Sequence, residues 1–364
     1  MINRLLVMLV KYVDTYLFTV VCILLVIGLM VLYSASGGNF GMVGYQSLKI
    51  CAAFGAMWLA ANVPLHWIAR LALPVYLIGL GLLICVPLFG VSAHGAQRWL
   101  NLGFMRVQPS EVMKIAVPLV LAWYFDRYEA ILRFQNFVVG AIAVIVPVYL
   151  VAKQPDLGTA LLIAAAGFYV IFLAGLNWRV LAGALVIVGA SAPLLWPFLH
   201  SYQKKRILTL IDPSSDPLGA GYHTIQSTIA IGSGGFFGKG WLNGTQAHLD
   251  FLPERTTDFI FAVFAEEWGL LGNMVLVTLF LLIIGRGMMI ASNAPTLFTR
   301  LLAGAITMTF FTYVFVNMGM VAGILPVVGV PLPLISFGGT SMVTIMFGIG
   351  LLMSIHTHKR LVQS

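Results

Sequence analysis

Glu111 and Lys114 stand three residues apart at the start of an apolar run, so a helix would put both on one face, where each can neutralise the other. Asp258 closes the stretch Pro253-Glu-Arg-Thr-Thr-Asp258 at the head of another apolar run, with Glu254 and Arg255 beside it. An ionisable side chain inside a membrane span costs at least about 2.5 to 3.5 kcal/mol, so each such group calls for a partner or a function. The Glu111–Lys114 pair has two compatible readings: an ion pair joining helices, or one wall of a polar cavity that meets substrate. Exchanging the two charges should preserve the first and abolish the second. Asp258 also has two readings. It can cap a helix, for which aspartate is well suited. It can instead act as a general base, held where a membrane-anchored head group would meet the protein. A helix N-terminus and Arg255 would lower its pKa, so burial or Glu254 must oppose them if it is to work as a base.

Other charged residues read as structural first. Asp156, in Lys153-Gln-Pro-Asp-Leu-Gly-Thr159, suits an Asx turn or a helix cap. Glu266 and Glu267 lie about two turns beyond Asp258; helical geometry puts Glu266 about 80° from it and Glu267 nearly opposite, so at most one shares its cavity. The seven histidines have no metal-ligand spacing, and His356 and His358 with Lys359 and Arg360 suit an interfacial anchor. Gly232-Ser-Gly-Gly-Phe-Phe-Gly-Lys-Gly240 departs from a nucleotide-binding loop at Ser233 and Gly240 and reads as a flexible outer loop, with anion binding by its amides a lesser alternative. Nothing in the chain has the form of a nucleic-acid module, an internal repeat or a low-complexity tract.

The elements that must position these groups are membrane helices. Of 364 residues, 60% are hydrophobic and 9% charged, with a mean hydropathy of +0.98. A soluble domain is excluded, and continuous apolar runs exclude a porin-like barrel with its alternating pattern. The reading is an all-α polytopic membrane protein, one domain over 1–364, with ten spans at 15–36, 46–63, 70–90, 109–125, 137–153, 158–175, 179–200, 258–284, 300–323 and 335–355. The first run is too long for a signal peptide's core and stays as span one. A long extracytoplasmic loop, about 201–257, joins spans seven and eight. Cys22, Cys51 and Cys85 all fall in apolar runs and read as packing residues. Ile324 to Gly339, apolar yet broken by Pro326, Pro331 and Pro333, cannot continue a helix and is expected to form a re-entrant wall of the outward cavity.

Lys and Arg set the orientation. Arg4, Lys11, Arg70, Arg127, Arg133, Arg179, Arg286, Arg300, Lys359 and Arg360 fall on the side of the termini, against Lys49, Arg98, Arg106 and Lys153 on the opposite short connections. Both termini are therefore expected in the cytoplasm. Lys204, Lys205, Arg206, Lys239 and Arg255 in the long loop run against that bias, which points to an external anionic partner.

The chain resembles the SEDS (shape, elongation, division and sporulation) family of bacterial peptidoglycan glycosyltransferases. The resemblance rests on Gly95-Ala-Gln-Arg-Trp-Leu100, Gln108-Pro-Ser-Glu111 with Lys114, Gln154-Pro-Asp-Leu-Gly-Thr159, Asp212-Pro with Asp216-Pro-Leu-Gly-Ala-Gly-Tyr222, Gly238-Lys-Gly-Trp241, Phe251-Leu-Pro-Glu-Arg-Thr-Thr-Asp258 and Pro326-Val-Val-Gly-Val-Pro331. It covers nearly the whole chain, and Met353-Ser-Ile-His-Thr-His358 favours an elongation-type member. The resemblance implies polymerisation of lipid II, a disaccharide-pentapeptide on undecaprenyl pyrophosphate, at the periplasmic face of the cytoplasmic membrane. It puts the catalytic carboxylate on Asp258 and the paired acid and base on Glu111 and Lys114. It also implies a single-span class B penicillin-binding protein as transpeptidase partner.

The expected mechanism is deprotonation of the acceptor 4-hydroxyl by Asp258, with inversion at the donor's anomeric carbon. Arg98, Lys114, Arg206 and Lys239 are the candidate cations for the departing pyrophosphate, and a divalent cation (Mg or Mn) is an optional supplement. Asp156, Glu254 and Glu266 are supporting residues. A lipid II flippase and a non-catalytic activator of the transpeptidase are the alternatives. A flippase needs polar access on both faces, whereas the charges, apart from Glu266 and Glu267, gather towards the outer one; an activator leaves the embedded charges without a purpose.

Overall fold

The structure is a computed structural model that describes residues 12–362, apart from 94–95, 102–105, 130–131, 196, 198–203, 205, 207, 211, 213–219 and 246–253. Lys205 and the motif residues 216–219 and 251–253 therefore lie outside the described residues.

Each of the ten expected segments coincides with a helix: α1 (Thr15–Ala35), α2 (Phe40–Asn62), α3 (Leu65–Phe89), α4 (Pro109–Arg127), α5 (Phe134–Lys153), α6 (Leu157–Leu173), α7 (Trp178–Leu195), α9 (Ile260–Ser292), α10 (Leu297–Val321) and α11 (Thr340–Val362). A further helix, α8 (Ala220–Ser233), lies inside the segment read as a loop. Its alternating polar and apolar residues gave no continuous apolar run, yet it packs against α9. Among the described residues six helices, α1, α3, α5, α9, α10 and α11, are long and apolar enough to cross a membrane by length and composition alone, and α6 is a shorter apolar helix. The Glu111–Lys114 pair and Asp126–Arg127 lower the hydropathy of α4. The sequence also forms a small antiparallel sheet, β1 (Val91–Ala93), β2 (Ala96–Asn101) and β3 (Arg106–Val107), ahead of α4.

Helices α4 and α10 form the centre. α4 packs against α3, α5, α6, α10 and α11, while α10 packs against α4, α6, α9 and α11. Both are buried on all sides over part of their length, as the unbroken buried runs Ala116–Ala122 and Leu301–Ala305 show. The outer helices expose large apolar side chains, such as Leu77, Ile78 and Ile145, which suit contact with lipid. At the end bearing the N-terminus, Asp14 caps α1 through Leu17 N–H and accepts two hydrogen bonds from Arg286 of α9, with His356 Nε2 of α11 3.4 Å away.

Helix α9 runs for 33 residues but is broken at Gly269, whose φ of 62° and ψ of −160° are not helical. The break frees backbone groups that lipid cannot satisfy. Residues 234–240, from the glycine-rich run, fill it: Lys239 and Gly240 N–H donate to the carbonyls of Glu266 and Glu267, and Leu270 and Leu271 N–H donate to those of Gly235 and Phe236. A Cβ on Gly269 would lie 2.3 Å from Gly238 N, so two backbones approach here as only glycine permits. The expectation of a freely flexible loop is corrected at this point; the run is pinned as part of the helix's hydrogen-bonding.

Candidate active site

Asp258 belongs to the turn Glu254–Phe259 that precedes α9. The helix takes Phe259 as its N-cap, without a side-chain capping bond, so Asp258 does not serve as the expected cap. Its backbone is held from three directions instead. Phe337 N–H donates to Thr256 O (2.8 Å), Ser336 Oγ to Thr257 O (2.7 Å), and Asn317 Nδ2 to Asp258 O (2.8 Å). Three successive carbonyls are thus fixed by groups from α10 and the proline-rich segment. Asn317, fully buried on α10, also donates to Val330 O (2.7 Å), tying that segment to the same anchor. Ser336 Oγ accepts from Leu332 N–H as it donates to Thr257. Gly329, with φ +74°, carries the segment past Asp258; a Cβ there would sit 3.4 Å from Oδ2.

With its backbone committed, the carboxylate faces a polar cavity of about 270 Å³ whose walls include Arg98, Gln108, Glu111, Lys114, Asp156, Tyr313 and the segment Gly329–Pro331 with Phe337–Gly339. Burial raises the Asp258 pKa to about 6, assisted by the negative charge of Glu254 and opposed by Arg206. The opposing cation is thus Arg206, from the segment between α7 and α8, where Arg255 was expected.

Across the cavity Lys114 Nζ is 2.6 Å from Glu111 Oε1 and also bonds the hydroxyl of Tyr313 on α10. Glu111 Oε2 is buried with no hydrogen-bond partner among the described residues, which leaves one strong acceptor in the cavity wall. Asp156 caps α6 through Thr159 N–H and accepts from Gln108 Nε2 (3.1 Å). Arg98 on β2 reaches Asp156 at 3.7 Å and donates to the carbonyls of Gln154 and Pro155, fastening the sheet to the α5–α6 turn. Asp258, Glu111, Lys114, Asp156 and Arg98 therefore meet around one cavity from three separated parts of the chain.

Lys239 does not join them. Its Nζ lies 2.7 Å from Glu266 Oε1 and 2.8 Å from Thr245 Oγ1, beside the break in α9. The same Glu266 oxygen accepts from Thr245 N–H and Oγ1. Glu267 turns to Ser34 of α1. Neither glutamate lines the Asp258 cavity, because the loop that repairs the break draws Glu266 to itself. Asn317 and Ser336 were missed by sequence reasoning restricted to ionisable groups; a lone amide in an apolar helix is the signal that marks Asn317. Among the described residues no three His, Cys, Asp or Glu side chains are grouped closely enough to hold a metal ion.

A second cavity, about 460 Å³ and almost wholly apolar, opens beside the first. It is a groove walled by α2, α3, α4 and α11, with Ala52, Val75, Val112, Ile115, Val343 and Phe347 among its lining residues. Gln108, Glu111, Gly339 and Thr340 line both spaces, so groove and polar cavity adjoin along one wall. This arrangement accommodates a molecule with a long apolar tail and a polar head.

The sequence pattern of the cell cycle protein family FtsW/RodA/SpoVE matches residues 14–361. The chain is 50% identical over 351 residues to a peptidoglycan glycosyltransferase MrdB of Escherichia coli K12, covering 96% of this chain and 95% of that protein. The MrdB of Helicobacter pylori 26695 is 37% identical over 321 residues, covering 84% of this chain and 81% of that one. Among solved structures, a chain from a peptidoglycan synthase complex, described as structurally coordinating polymerization and crosslinking, aligns with a TM-score of 0.83 at 33% identity over 95% of this chain and 98% of its own. The rod shape determining protein RodA of Thermus thermophilus aligns with a TM-score of 0.72 at 28% identity, over 94% of this chain and 96% of its own.

Proposed function

The chain belongs to the FtsW/RodA/SpoVE family, and on that footing we propose that it is a peptidoglycan glycosyltransferase that polymerises lipid II. It joins a lipid-linked glycan to the 4-hydroxyl of lipid II during elongation and rod-shape maintenance. The observation that carries the reading is the meeting of a fixed, half-buried carboxylate with a polar cavity and an apolar groove along a shared wall. Sugars occupy the polar space, and the prenyl tail lies in the groove, where it stays in contact with the bilayer.

Asp258 takes the proton of the acceptor 4-hydroxyl as that oxygen attacks the donor's anomeric carbon. The bond from that carbon to the pyrophosphate oxygen breaks, its electron pair leaves with undecaprenyl pyrophosphate, and the configuration inverts. A pKa of about 6 leaves Asp258 mostly ionised at neutral pH while keeping it basic enough to accept a proton. Glu111 and Lys114, locked together and to Tyr313, orient hydroxyls of the sugars through the free Glu111 oxygen. Arg98 and Asp156 fix the opposite wall.

Ten crossings with both termini in the cytoplasm place Asp258 and this cavity at the periplasmic face. The Lys and Arg bias across the short connections supports that orientation. A class B penicillin-binding protein supplies crosslinking as partner; the similarity to a chain of a peptidoglycan synthase complex supports the pairing. Purified protein given lipid II is the test. Glycan strands from the native chain and none from Asp258→Asn are expected; no strands from the native chain, with lipid scrambling in vesicles, overturns the assignment in favour of a flippase.

A further inference from the structure

A departing pyrophosphate needs a positive charge that no protein carboxylate already neutralises. The cations expected to supply it are largely committed. Arg98 pairs with Asp156, Lys114 with Glu111 and Lys239 with Glu266, while Arg206 acts on Asp258. Lys49 of α2 differs. Among the described residues no carboxylate lies within ion-pairing distance of it, and its ammonium sits between two rings, 4.3 Å from the centroid of Tyr45 and 3.8 Å from that of Phe337. Aromatic faces hold a cation without cancelling its charge. Its stem runs past Gly339, where a Cβ would stand 3.4 Å from Lys49 Cδ.

Position adds a second, independent argument. Lys49 lines the apolar groove, whereas Phe337, which clamps it, lines the polar cavity. The ammonium therefore stands where the tail-sized space gives way to the sugar-sized one. Resting on the glycosyltransferase reading, we propose that Lys49 is the pyrophosphate-binding cation for the lipid-linked substrate, held in place by Tyr45 and Phe337. The head group of a prenyl pyrophosphate seated in the groove meets this ammonium first. As the glycosidic bond to pyrophosphate breaks, the electron pair moves onto the leaving oxygen beside a charge already in place, with no reorganisation needed. Phe337 also donates its N–H to Thr256, two residues before Asp258, so the clamp and the base sit on one hydrogen-bonded unit.

The test measures binding of three probes to the full-length protein in phosphatidylcholine vesicles: undecaprenyl pyrophosphate, undecaprenol and inorganic pyrophosphate. The native chain should prefer undecaprenyl pyrophosphate to undecaprenol by about tenfold or more. Lys49→Met should remove that preference while leaving undecaprenol binding intact, and Lys49→Arg should keep most of it; Lys49→Gln replaces the methionine variant if the latter does not fold. A methionine variant with the preference unchanged, or with both lipids weakened alike, overturns the proposal. Displacement of the lipid by inorganic pyrophosphate at equal concentration overturns the lipid assignment. Strand formation from lipid II by the same preparations reads the glycosyltransferase assignment separately, so failure of either leaves the other legible.

Discussion

Asp258 draws its chemistry from its surroundings, and those surroundings set its pH behaviour. Its folded pKa is raised, to about 6, by burial first and Glu254 second. A base works only when deprotonated, so kcat/KM should rise with pH through about 6 and level off above it. Glu254→Gln removes a neighbouring negative charge and should move the midpoint down; Arg206→Gln removes a positive one and should move it up. A pH–rate profile of strand synthesis in each variant checks both signs. Asp258→Asn should lower turnover by about a hundredfold or more with little change in melting temperature, because the side chain caps no helix. Asn317→Leu leaves the carbonyls of Asp258 and Val330 without a donor, at about 1–3 kcal/mol each. It should reduce kcat more than it raises KM and shift the pH midpoint, which a merely structural amide would not do. Asp258, Glu111 and Lys114 were legible in the sequence because an ionisable group in an apolar chain is conspicuous by its cost. Lys49 counted only as one more outer-side charge, since its lack of a carboxylate partner among the described residues is a property of the folded packing.

The broken helix α9 is where secondary structure departs most from the sequence pattern. The apolar run continues through Gly269, so hydropathy reads one helix, while the backbone turns aside and borrows hydrogen bonds from residues 234–240. That pairing is made by backbone groups, which no side-chain pattern encodes, and α8 escaped notice because it is short and mixed in polarity. Gly269→Ala should lower the thermal midpoint, since a left-handed φ costs about 1–3 kcal/mol for alanine and its Cβ would meet Gly238. Lys239→Met removes the ammonium that lies 2.7 Å from the fully buried Glu266 carboxylate. Breaking such a pair costs about 3 kcal/mol, whereas replacing both members with apolar residues is often neutral. Lys239→Met should therefore melt earlier, and Lys239→Met with Glu266→Leu should recover most of the loss. A melting series in detergent checks all three variants.

Across the whole molecule, composition announced a membrane protein and the apolar runs located ten of its helices, with ends up to eight residues off. Their convergence was not written there. Asp258 and Glu111 lie far apart in the chain, and only the packing of α10 against α4, α6, α9 and α11 brings their elements around one space. The adjoining apolar groove is likewise a property of helix placement, with no motif of its own. Ala52→Trp, which fills the groove from α2, should raise KM for lipid II while leaving the pH midpoint set by Asp258 unchanged. Steady-state kinetics with a short-chain prenyl analogue provides the control, because a short tail should be affected less.

The repair of α9 also has an order in time. Ribosomes release Gly234 to Gly240 before Gly269, so the peptide groups that complete the interrupted helix are made before the interruption itself. A chain severed between 246 and 253 and expressed as two halves would keep that sequence of events only if the first half were made first. Supplied in reverse, the second half would arrive with bare amides in oil.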